Sequence, residues 1–167
     1  AGEITIRQLL GHTSGYQDYW PHDYTFERML APTAPQAIID DWARRPLDYE
    51  PGTRYQYSNT GYVLAGLIVE KVSGQPLQQF LQQRIFEPLG MASTAFQVPA
   101  ANVERLSTNY APVGGILLPL DPASTSIYLD KPPFPFGGAG LVSSARDYDR
   151  FLHMLMNQGT LDGEQIL

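Results

Sequence analysis

The 167-residue sequence contains no cysteine, which excludes disulfides and thiolate metal sites. Lysine is almost as scarce: only Lys71 and Lys131 occur, and the largest basic cluster is the pair Arg44-Arg45. With a formal net charge of −6, this argues against a nucleic-acid-binding surface. Charged residues make up 17% of the chain and hydrophobic ones 43%, a balance that rules out a disordered acidic tail. The longest apolar run, around Tyr62 to Val69, is too short to span a bilayer. His22 and His153 are read as having no carboxylate or second histidine at ligand spacing, so no metal is expected, and no other cofactor is implied. There is no Gly-x-Ser-x-Gly elbow to carry a serine nucleophile. What remains is the size and composition of one globular piece with a real core.

The most informative stretch is Pro51-Gly52-Thr53-Arg54-Tyr55-Gln56-Tyr57-Ser58-Asn59-Thr60-Gly61. A tight turn and an extended run lead there into an apolar helix. Side chains alternate along extended backbone, so Tyr57 and Asn59 should share one side and Ser58 should take the other. A phenol and a carboxamide aimed together offer a titratable oxygen, two donors and an acceptor, a set able to orient and protonate a substrate. A bare Tyr-x-Asn triplet is a weak motif, so its context decides.

That context is a series of helices with long irregular connections. Thr5 and Gln8 form a capping-box pattern that opens a short helix ending near Gly11. Thr33 to Arg45 reads as a second helix, with Pro35 in its first turn, Ile38, Ile39 and Trp42 on its apolar side, and Pro46 ending it. Asn59 to Val72 is apolar on nearly every side and is expected to be central, with Leu64 and Ile68 nearly inaccessible and Gly74 closing it. Pro76 starts the next helix, striped by Leu77, Phe80, Leu81 and Ile85 and stopped by Pro88. Ser144 with Asp147 caps a last helix in which Tyr148, Phe151, Leu152 and Leu155 recur, ended by Gly159. Two short strands are expected, Thr94 to Val98 and a hairpin piece from Val113 to Leu118 around Gly114-Gly115. Pro119 to Gly140 reads as a long loop by composition.

Other conspicuous residues receive plain structural readings. His12-Thr13-Ser14-Gly15 should satisfy open groups at a helix end, with Gly15 left-handed, because neighbours on one turn rarely face each other as a His-Ser couple. Tyr16, Gln17, Tyr19 and Trp20 form an aromatic-polar loop after that turn. Gly137-Gly138-Ala139-Gly140 lacks the preceding strand and spacing of a nucleotide loop, so it reads as tight backbone packing.

Taken in order, the segments Ile4 to Gly15, Pro51 to Gly61, Val69 to Gly74, Ile85 to Met91 and Gly138 to Asp147 resemble the serine β-lactamase-like family. The resemblance is to the branch of class C β-lactamases, DD-peptidases, D-aminopeptidases and esterases, and it runs through nearly the whole chain. It implies an α+β parent fold, of which this chain is mainly the helical subdomain with a few short strands and long loops. The family's nucleophile lies in Ser-x-x-Lys, and here no serine has a lysine three residues on. The family's Lys/His-x-Gly strand triplet is also absent. The expectation is therefore a middle piece of a longer protein, with Ser-x-x-Lys upstream and the sheet downstream.

By the same resemblance Tyr57 takes part in activating the serine and in protonating the leaving group. Asn59 holds the substrate amide or carbonyl and bonds the lysine partner of the nucleophile. Tyr16 and Gln17 lie where relatives border the pocket and are candidate substrate contacts. The implied partner is a small-molecule or peptide substrate, and the implied location is periplasmic or secreted. Two function classes follow: a serine hydrolase working through an acyl-enzyme, or a non-catalytic peptidoglycan- or peptide-binding member of the fold. An intact Tyr57-x-Asn59 favours the hydrolase, since binding alone needs no proton-transfer tyrosine. Residues 1 to 167 by themselves are expected to be inactive and, with apolar surface left uncovered, to self-associate, be marginally stable or need the rest of the parent to fold fully.

Overall fold

The computed structural model describes residues 3–19, 37, 39–132 and 137–167. The start of the expected second helix, with Thr33, Pro35 and Ile38, lies outside the described residues, as do Trp20 and His22. The chain divides into two compact units, residues 1–77 with 133–139 and residues 78–132 with 140–167.

The first unit begins with α1 (Ile6–Leu10). Thr5 caps it as expected: Gln8 N–H donates to Thr5 Oγ1 at 3.2 Å, and Thr5 N–H donates to Gln8 Oε1 at 2.9 Å. Its principal partner is α2 (Asn59–Ser73), capped by Ser58 and closed by Gly74 in the left-handed conformation at φ 69°. The two helices approach closely because Gly61 has no side chain; a Cβ there would lie 3.3 Å from the Leu9 carbonyl oxygen. Residues buried along α2 are Thr60, Gly61, Val63 and Gly66, whereas Leu64 and Ile68 are only half-buried and Val72 is exposed. This corrects the expectation of a fully enclosed helix. Among the described residues of the unit, α2 is covered by α1, by the cluster of Tyr19, Trp42 and Val63 with Leu67 beside it, and at Gly66 by Leu77 and Gly137.

Trp42 sits in a π-helical turn, Ile39–Ala43, which is the described part of the expected Thr33 to Arg45 helix. Gly137 packs flat against α2, where a Cβ would stand 2.2 Å from the Tyr62 carbonyl oxygen. Tight backbone packing was the expectation for this glycine run, and at Gly137 it is what the fold shows.

The second unit is built on Phe86, Leu89, Met91 and Met154, with Leu81, Ile85, Phe151, Leu161 and Ile166 packed against them. α3 (Leu77–Leu81) runs into a π-helical turn, Gln82–Phe86, closed by Glu87 N–H donating to the Gln82 carbonyl at 2.9 Å. Pro88 has no N–H and its ring crowds the carbonyl four residues back, so the chain widens before it stops. The widened turn places Phe86 in the core and leaves Ile85 half-buried.

β1 (Asn109–Val113) and β2 (Ile116–Asp121) form an antiparallel hairpin in which Val113 faces Ile116 and Tyr110 faces Pro119. Gly114 and Gly115 both take positive φ, which a two-residue hairpin turn of this hand requires. β2 therefore occupies the beginning of what composition reads as loop. Two prolines are tolerated because each strand of an isolated pair has a free edge. The expected strand from Thr94 to Val98 does not form; only Ala95 bridges, to Val142. Thr94 is drawn instead into side-chain bonds, and Phe96 and Val98 are buried one by one.

α4 (Ala145–Met156) is capped by Ser144, whose Oγ accepts from Asp147 N–H at 3.2 Å. The box is not completed, because the Asp147 carboxylate accepts from Ser93 N–H at 2.7 Å and Thr94 Oγ1 at 2.9 Å. α4 buries Asp147 and Met154, with Phe151 half-buried between them, and leaves Tyr148, Leu152 and Leu155 exposed. The short pair β3 (Thr160–Leu161) and β4 (Glu164–Gln165) ends the unit. His153 is exposed, with its Nδ1 3.6 Å from the Asp149 carboxylate one turn earlier, a neighbour that the sequence reading missed.

Candidate active site

Tyr57 and Ser58 lead into α2, which begins at Asn59; Ser58 is extended, at φ −146° and ψ 113°. Ser58 turns inward, 2% exposed, and its Oγ accepts from Gly61 N–H at 3.3 Å to cap α2. Tyr57 and Asn59 fall on the opposite side, where the Tyr57 hydroxyl donates to Asn59 Oδ1 at 3.2 Å. Tyr57 is 54% exposed.

The triplet is held by the segment from His12 to Asp18. Backbone bonds strap residues 48–56 alongside it: Asp48 N–H donates to the Gly15 carbonyl, Gly52 N–H to Thr13, and Gln56 N–H to His12, all at 2.8–2.9 Å. Gly15 is left-handed as expected, at φ 83°. The groups at the end of α1 are met by backbone amides, with Thr13 N–H donating to the Gln8 carbonyl at 2.9 Å and His12 N–H to the Leu9 carbonyl at 3.3 Å. His12 itself adopts φ 53°, unusual for a residue with a side chain.

That conformation sends the His12 ring toward the triplet, a role added to the expected one at the helix end, which its backbone N–H fills. The ring lies between Tyr57 and Tyr62, with centroids at 4.5 and 5.1 Å, and meets the edge of Tyr55 at 5.7 Å. Its Nδ1 accepts from Ser58 N–H at 3.2 Å, so Nδ1 carries no proton in this arrangement. Tyr62 is anchored in turn by donating to the Leu10 carbonyl at 3.0 Å.

Asp18 grips the other end of the triplet. Its Oδ1 accepts from Asn59 N–H at 3.0 Å, and the Asn59 Nδ2 lies 3.3 and 3.0 Å from Oδ1 and Oδ2. Asn59 is the first residue of α2, so a carboxylate there also suits the positive end of the helix. Next to it, Thr60 Oγ1 donates to the Gln17 carbonyl at 2.9 Å and accepts from Tyr19 N–H at 3.3 Å.

Of the two candidate substrate contacts, Gln17 spends its side chain on the Pro46 carbonyl at 3.0 Å, and Tyr16 is half-buried with its N–H toward Ser14 Oγ at 3.4 Å. Neither is hydrogen-bonded to Tyr57 or Asn59 among the described residues. Sequence reasoning passed over His12 and Asp18 as members of the site. One signal for Asp18 was available: the first turn of α2 contains no acidic residue of its own, so its N-terminus invites a carboxylate from elsewhere. Among the described residues no cluster of histidine and carboxylate groups is able to hold a metal ion.

The model of the family described as "Beta-lactamase" matches residues 1–167. The chain belongs to the β-lactamase family. It is 32% identical over 181 residues to the N-acetylmuramyl-L-alanine amidase of Bacillus subtilis, a match covering 95% of this chain and 39% of that protein. Among solved structures it is similar to the D-amino acid amidase from Ochrobactrum anthropi SV3, with TM-score 0.72, 31% identity, and coverage of 96% of this chain and 45% of that one. EstCE1, a hydrolase with promiscuous acyltransferase activity, matches with TM-score 0.78 and 26% identity over 98% of this chain and 48% of its own. The chain thus spans less than half the length of each.

Proposed function

We propose that this chain carries the Tyr-x-Asn element of a serine hydrolase that cleaves an ester, a D-amino-acid peptide or a β-lactam through an acyl-enzyme. The observation that supports this most directly is the bond from the Tyr57 hydroxyl to Asn59 Oδ1 on the exposed side of the triplet, in a chain of β-lactamase-family sequence. The amidase, hydrolase and acyltransferase activities named for its relatives agree with a carbonyl substrate.

In this reading the nucleophile belongs to a Ser-x-x-Lys outside these 167 residues. The serine oxygen bonds to the substrate carbonyl carbon, and the bond from that carbon to the leaving oxygen or nitrogen breaks. The serine proton travels through the Tyr57 hydroxyl to the leaving group, and water then repeats the sequence in reverse to release the acid. A free phenol is a poor base near neutrality, so the relay depends on a neighbouring cation, for which the lysine of Ser-x-x-Lys is the source. Asn59 holds the carbonyl while the transfer occurs.

Replacing Tyr57 with Phe in the full-length protein removes one hydroxyl and leaves the ring on His12. Turnover of p-nitrophenyl esters or nitrocefin should fall about 100-fold or more, with substrate affinity little changed. A folded Tyr57→Phe protein working at full rate would take Tyr57 out of the mechanism, whereas a folded wild-type protein without turnover would favour a non-catalytic, peptide-binding role.

A further inference from the structure

We infer that Asp18 is a positioning residue that sets the direction of the hydrogen bond at Tyr57; this rests on the catalytic reading of Tyr57 and Asn59. A carboxamide has one face that accepts and one that donates, and in a protein it can flip by half a turn to suit its neighbours. An ionised carboxylate only accepts, so Asp18 demands that the Asn59 NH2 face it, and both of its oxygens lie within 3.3 Å of Nδ2. The carbonyl oxygen of Asn59 is thereby turned toward Tyr57, which must donate to it. Because one N–H can serve both carboxylate oxygens in a bifurcated bond, the second N–H of Asn59 remains for a substrate carbonyl.

The backbone contact makes the assignment testable. Asp18 Oδ1 also accepts from Asn59 N–H at 3.0 Å, a bond that a neutral acceptor is able to keep. In Asp18→Asn the new oxygen retains that bond and its longer contact with Nδ2 at 3.3 Å, while the new NH2 replaces the acceptor at 3.0 Å and meets the NH2 of Asn59, donor against donor. The Asn59 carboxamide then flips, reversing the bond at Tyr57 and turning its oxygen, which cannot donate, toward the substrate carbonyl. A residue that only caps α2 would tolerate this isosteric change; one that orients Asn59 would not.

The experiment is a double-mutant cycle in the full-length protein, with turnover of a p-nitrophenyl ester normalised to the fraction of sites labelled by a fluorophosphonate. Asp18→Asn should lower the normalised kcat about tenfold or more. In an Asn59→Ala background the same change should have no further effect beyond about twofold, because its route of action is gone. Asp18→Glu, which keeps the charge, should recover part of the loss. Wild-type turnover in Asp18→Asn, or an equal loss in both backgrounds, would overturn the proposal while leaving Tyr57 and Asn59 in place. If Asn59→Ala and Tyr57→Phe are themselves fully active, the catalytic reading fails and Asp18 has nothing to orient. Should Asp18→Asn not fold, Asp18→Ser enters the same cycle, with the same two outcomes deciding.

Discussion

Among the described residues, the unit that carries Tyr57 buries Ser14, Ser58 and Thr60 and five apolar side chains, of which only Tyr19, Trp42 and Val63 cluster together, Leu9 and Leu77 standing apart. The unit around Met154 buries Phe86, Leu89 and Met91 with it, and five more apolar residues pack on that cluster. Its buried Thr94 and Asp147 bond to one another, where they tie a turn to the start of α4. Apolar packing resists water without prescribing the position of any one atom. Hydrogen bonds are directional, so a network such as His12, Ser58, Asp18 and Asn59 fixes where donors and acceptors point. The contrast shows one part of the chain organised for placement and another for cohesion.

Three substitutions probe that contrast in order of expected size. Leu89 is fully buried, and Leu89→Ala should cost about 2–5 kcal/mol of stability by chemical denaturation. Its turnover per folded molecule should stay near wild type; a selective loss of turnover would show that cohesion and placement are not separable. His12→Phe keeps an aromatic ring between Tyr57 and Tyr62 but leaves the Ser58 N–H without its acceptor. The expected cost is about 1–3 kcal/mol, accompanied by a fall in turnover that outlasts correction for folding. An unaltered rate would mean that ring stacking alone holds the triplet. Asp149→Ala removes the exposed partner of His153 and should change stability by less than about 0.5 kcal/mol, since surface ion pairs contribute little. A larger change would give the face of α4 a role that its exposure does not suggest.

Much of this was legible in local sequence. The cap at Thr5, the Ser144 cap, the Gly74 stop and the Gly114-Gly115 turn each depend on a few adjacent residues, and each formed where expected. Readings that depended on a distant partner fared worse. Thr94 to Val98 has strand-like residues, yet a strand needs another beside it, and only Ala95 finds one. The stripe of Tyr148, Leu152 and Leu155 has helical spacing, but the side of α4 that is buried runs through Asp147 and Met154. Hydrophobic spacing locates a helix without saying which neighbour covers it.

The candidate site divides in the same way. Alternation along extended backbone anticipated that Tyr57 and Asn59 point together and Ser58 points away, although Asn59 already opens α2 and is held there by Asp18. Family membership was likewise carried by ordered segments along the chain. Only the tertiary structure decided which groups hold the triplet. His12 and Asp18 stand 46 residues from Ser58 and 41 from Asn59, and they meet them because α1 packs on α2 and residues 48–56 lie along the intervening turn. Contacts over such separations are made by the closing of the chain on itself, and no spacing in the sequence encodes the direction in which a carboxylate turns a carboxamide.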